Sequence, residues 1–103
     1  MDKASKSPGV AALMGRLRQD LGQDYFVEVP HWNGDRTAIG LGRPDDPRFL
    51  VYLSMQPGSH DVYLECEIPP DGDAADMPYE VTASGDYTDY EQILDIVRTH
   101  LAR

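Results

Sequence analysis

Apolar positions along this chain fall into two helical stripes, one near each end, separated by a series of alternating runs. Val10, Leu13, Met14, Leu17 and Leu21 recur at helical spacing behind Ser7-Pro8, a helix cap followed by proline at the first helical position. Gly22 supplies the left-handed stop. Near the other end, Thr88 and Glu91 have capping-box spacing, and Tyr90, Ile93, Leu94, Val97 and Leu101 form the second stripe.

The segment between them reads as five strands. DYFVEVPHW and RTAIGLG flank Asn33-Gly34-Asp35, a strong hairpin signal. Parity favours a loop of odd length or a bulge: with Asn33 to Asp35 as the loop, Val29 faces Ile39 and Val27 faces Leu41, while Trp32 and Arg36 pair on the opposite face. Residues 43–47, with Pro44 and Pro47, read as a connection. RFLVYLSM then places Phe49, Val51, Leu53 and Met55 on one face, and Gln56-Pro57-Gly58-Ser59 is a turn. DVYLECEI sets Val62, Leu64, Cys66 and Ile68 inward and Tyr63, Glu65 and Glu67 outward. A four-residue loop would align Leu53 with Val62, Val51 with Leu64, Phe49 with Cys66 and, outside, Tyr52 with Tyr63. After an acidic loop over 69–78, YEVTASG gives a last strand with Val81 and Ala83 inward.

These elements predict an α+β two-layer sandwich of order α-β-β-β-β-β-α, with both helices on one face of an antiparallel sheet. A chain of 103 residues suits one domain, drawn over 7–103 behind a flexible tail over 1–6. The face without helices would carry Glu28, Trp32, Arg36, Tyr52, Tyr63, Glu65, Glu67 and Glu80, a mixture of rings and acids found at recognition surfaces.

Charge sharpens this picture. Residues 1–48 hold as many basic as acidic side chains, whereas residues 49–103 hold eleven acids against Arg98 and Arg103 and so carry the whole net charge of −9. Such a surface repels phosphate backbones and anionic membranes and attracts basic proteins, so neither nucleic acid nor membrane is expected as a partner. The single cysteine and the absence of an apolar stretch in MDKASKSPG predict a reducing cytoplasm.

Catalytic chemistry finds little support. Cys66 falls on the core face beside Leu64 and Ile68, as an inert thiol does. His31, His60 and His100 lack metal-ligand spacing. Asp71, Asp73 and Asp76 lack the glycine and terminal glutamate of a calcium loop and read as acidic binding residues. Glu65 and Glu67 share a face and could pair as acid and base, but an outward direction leaves them solvated, without the burial that shifts a pKa. Gly40-Leu41-Gly42 lacks the third glycine of a nucleotide loop. No catalytic residue, metal or cofactor is therefore expected, and partner binding is assigned to Trp32, Tyr52, Tyr63, Glu65, Glu67, Glu80 and the 71, 73 and 76 aspartates.

In size, charge and architecture, including the ending GDYTDYEQILDIVRTHL, the chain resembles the immunity proteins of bacterial polymorphic and contact-dependent toxin systems. The resemblance implies a cytoplasmic inhibitor that binds a cognate toxin domain and masks its active or substrate-binding surface. It assigns no residue by position. A secretion or effector chaperone is the alternative, and a small enzyme or ligand-binding domain a third.

Overall fold

A computed structural model describes residues 6–69 and 79–102. Pro8–Leu21 form helix α1 and Tyr90–His100 form α2; between them run β1 (Val27–Glu28), a 3-10 turn (Pro30–Trp32), β2 (Ala38–Arg43), β3 (Asp46–Ser54), β4 (Val62–Ile68) and β5 (Glu80–Tyr87). The strands make one antiparallel sheet in the order β1-β2-β3-β4-β5. The expected α+β sandwich is the fold observed.

The helix ends follow local chemistry. Ser7 precedes Pro8 at the start of α1, and Gly22 closes it at φ 105°, a conformation L-residues with a Cβ avoid. In α2 the cap is Asp89, not Thr88: its carboxylate accepts the Glu91 N–H at 3.0 Å. Val10, Leu13 and Leu17 of α1 and Ile93, Leu94 and Val97 of α2 meet Ile39, Leu41, Val51, Leu53, Val62, Leu64 and Cys66 in one buried cluster with Phe26 and Leu101. Polar bonds join the helical layer at its rim. Tyr25 donates to the Arg98 carbonyl at 2.7 Å, and Tyr90 donates to Asp20 at 2.6 Å beneath the Arg16 guanidinium, 3.6 Å from the ring centre. Burial and the Asp20 carboxylate raise the Tyr90 hydroxyl to about 12. Among the described residues no helix is long and apolar enough to cross a membrane.

Several registers differ from the sequence expectation. Val27 pairs with Gly42 and Glu28 with Leu41, one residue away from the predicted alignment, so Val27 turns outward at 39% exposure and Phe26 enters the core. The cause is Pro30. Without an N–H and with its φ fixed, it starts a 3-10 turn in place of continued strand, and Trp32 leaves the sheet instead of pairing with Arg36. The connection predicted over 43–47 shrinks to Pro44 and Asp45, because β2 and β3 extend to an Arg43–Asp46 pair across a bulge. Between β3 and β4 the faces are as expected but the alignment slides by two: Leu53 meets Leu64, Val51 meets Cys66 and Tyr52 meets Glu65. Phe49 lies outside the core and stacks under Arg43 at 4.1 Å. A bulge at Cys66/Glu67 places Ala83 opposite Cys66 but Val81 opposite Glu67, so Val81 faces away from the helices at 43% exposure.

Candidate functional site

The face opposite the helices is organised around Trp32. Its ring packs against the bare backbone of Gly40, close enough that a Cβ there would sit 2.3 Å from a ring carbon. The turn that carries it is fixed by Lys6, whose ammonium donates to the carbonyls of Trp32, Asp35 and Ala38 at 2.7, 2.5 and 2.7 Å. Asp35 in turn accepts from the Thr37 N–H and hydroxyl, which hold its carboxyl below the ordinary value.

From Trp32 a row of rings crosses the strands. His31 meets Trp32 edge-on at 4.7 Å, Trp32 lies 5.3 Å from Tyr52, and Tyr52 lies 6.2 Å from Tyr63 in an edge contact. The two tyrosines are diagonal neighbours: Tyr63 sits opposite Ser54 and Asp86, and its hydroxyl donates to Glu65 at 3.0 Å. That bond to Glu65, followed by burial, raises the Tyr63 hydroxyl above its ordinary value.

Glu67 corrects the expectation of a solvated carboxylate pair. It is 8% exposed, the one buried charged side chain among the described residues, and it lines a cavity of about 490 Å³ with His31, Trp32, Tyr52, Glu65 and Tyr79. Burial raises its pKa first, and the negative charge of Glu65 and a hydrogen bond to it raise it further. Behind the sheet, the His100 ring contacts the Glu67 carbonyl at 2.8 Å and so ties α2 to this strand.

Trp32, Tyr52, Tyr63, Glu65 and Glu67 are thus brought together. Glu80 is not: the β5 bulge sets it opposite Ile68, on the helix side of the sheet. Asp71, Asp73 and Asp76 lie outside the described residues. His31 and Tyr79 join the site unannounced by the sequence. Gly40 and Gly42 carried an available signal, since glycines two apart in a strand share a face and leave room for a side chain crossing it.

Cys66 is 2% exposed, and burial raises its thiol to about 11, far from the range of a nucleophile. Among the described residues no group of three or more His, Cys, Asp or Glu side chains is placed to hold a metal ion. What the outer face offers chemically is a concave arrangement of ring faces and carboxyl groups. Compared with known proteins, the chain matches no family model, no curated protein and no solved structure.

Proposed function

We propose that this protein binds a basic protein partner through its outer face and thereby neutralises it, as an immunity protein does a toxin domain. The observation that carries the reading is the continuous row Trp32–Tyr52–Tyr63 beside Glu65 and Glu67, on a chain whose second half holds all of its net charge of −9. Rings packed in place supply rigid contact area at low entropic cost, and the acidic field speeds the encounter with a basic surface. The test begins with affinity capture from the native cell, comparing the wild-type protein with Tyr52→Ala. The protein retained by wild type alone is then purified and expressed with and without this chain. Relief of its toxicity or inhibition of its activity supports the reading; capture that is equal for both forms rejects the face as the binding surface.

One observation favours the second reading, a secretion or effector chaperone. Among the described residues β5 pairs with β4 alone, so its other edge can accept an extended segment by strand addition. A chaperone of this kind self-associates and binds an unfolded peptide, which sedimentation and peptide binding distinguish from capture of a folded domain.

A further inference from the structure

The cavity beside Trp32 has a definite charge chemistry. Glu67 is buried, and its side-chain partner is another carboxyl group, that of Glu65. The arginines whose ion pairs are seen lie elsewhere: Arg43 with Asp45, Arg48 with Asp46 and Arg98 with Asp95. Two acids therefore line a concave space of about 490 Å³ together with the rings of Trp32, Tyr52, Tyr79 and His31, and with no lysine or arginine among its described lining residues. Ring faces carry negative potential and bind cations, most strongly flat ones that can stack. A guanidinium is flat, stacks on rings and presents five donors in a fixed fork, whereas an ammonium is a compact point charge with three.

We propose that this cavity receives an arginine side chain of the protein partner, its guanidinium against Trp32 and Tyr52 and hydrogen-bonded to Glu65 and Glu67. The inference rests on the protein-binding reading and specifies the anchor of that interface. Trp32 is held for the role by its seat on Gly40 and by the Lys6 bonds to its turn. A bound cation favours the ionised form of Glu67, whose pKa burial and the neighbouring Glu65 raise, so binding strengthens as pH rises. The groups around that pair are Tyr63 and Tyr52 from β4 and β3, His31 from the 3-10 turn, Tyr79 ahead of β5, and His100 of α2 behind the Glu67 carbonyl. His31→Gln separates the contribution of this ring from that of the acids.

Trp32 is the one tryptophan of the chain and reports on the site directly. The probes are blocked tripeptides, acetyl-Gly-Arg-Gly-amide and its lysine and citrulline counterparts, together with free arginine, followed by the Trp32 indole resonance. The arginine peptide should saturate with a Kd of about 1 mM, the lysine peptide should bind roughly fivefold more weakly, and neutral citrulline should not bind. Glu67→Gln and, independently, Glu65→Gln should each weaken the arginine peptide about tenfold while the thermal melt stays cooperative. A flat response to roughly 100 mM, or an equal response to citrulline, overturns the proposal. So does free arginine binding more than about tenfold tighter than the blocked peptide, which would make the cavity a small-molecule site. If the peptides fail while Tyr52→Ala still abolishes capture of the partner, the arginine inference falls and the binding face stands.

Discussion

A methyl group at position 40 collides with Trp32, because a Cβ there would lie 2.3 and 2.4 Å from two carbons of the indole ring. The ring cannot shift freely, since His31 and Tyr52 flank it and Lys6 holds its carbonyl. Gly40→Ala should therefore lift Trp32 off the sheet. Two opposing effects set the magnitude: overpacking costs about 1–3 kcal/mol, and alanine gains roughly 0.5–1 kcal/mol over glycine within a strand. The net loss is about 1–2 kcal/mol, and in a domain of this size each kcal/mol lowers Tm by roughly 4–8 °C. Urea unfolding followed by circular dichroism, on wild type, Gly40→Ala, Trp32→Ala and the double variant, isolates the contact. With Trp32 removed, Gly40→Ala should become neutral or stabilising by about 0.5 kcal/mol. Single and double effects that add to within roughly 0.5 kcal/mol would show that the ring does not rest on Gly40.

Three further outcomes follow from the same contacts. Lys6→Ala should destabilise by about 2 kcal/mol, because it removes a charged donor from three carbonyls, and hydrogen exchange should speed up around residues 33–38; unchanged exchange there would contradict the tether. Glu67 has a raised folded pKa, so its contribution favours folding below the ordinary carboxyl value of 4.5 and is lost as pH rises through the folded value. Glu67→Gln should accordingly raise Tm by roughly 2–5 °C at pH 7 and by little at pH 4, and equal shifts at both would refute the burial cost. The thiol of Cys66 follows the same sign, with full stability below its ordinary value of 9.0 and loss as pH rises toward 11. It should resist native-state labelling, and Cys66→Ala should cost about 1 kcal/mol; fast labelling would place it at the surface.

How much of this was legible in the sequence depends on the period of the signal. Both helices are written in long apolar stripes with caps, and the inner faces of β3 and β4 in plain alternation, so the layers and the aromatic outer face could be read directly. Registers could not. Tyr52 meets Glu65 and not Tyr63 because the connection after β3 is longer than the expected four-residue loop, and parity is blind to slides of two. Trp32 reached the right face by a different route, a 3-10 turn begun by Pro30 and held by Lys6. The exposure of Val81 and the loss of Glu80 to the helix side both trace to one bulge, which alternation cannot announce. The burial of Glu67 was hidden for another reason: it depends on the rings around its cavity and on Leu50 across the strand pair, residues distant in sequence.

The ring and carboxyl face is the proposed binding surface for a basic partner. Association and dissociation rates of the purified partner, measured at low and moderate salt on surfaces carrying wild type, Tyr52→Ala, Tyr63→Ala, Glu65→Gln and Glu67→Gln, test it most directly. Dissociation should be faster by roughly 5- to 100-fold for the tyrosine variants and for Glu67→Gln, corresponding to about 1–3 kcal/mol, and association slower and less salt-dependent for Glu65→Gln. Rates unchanged in all four variants would contradict it and place the interface on another surface of the protein.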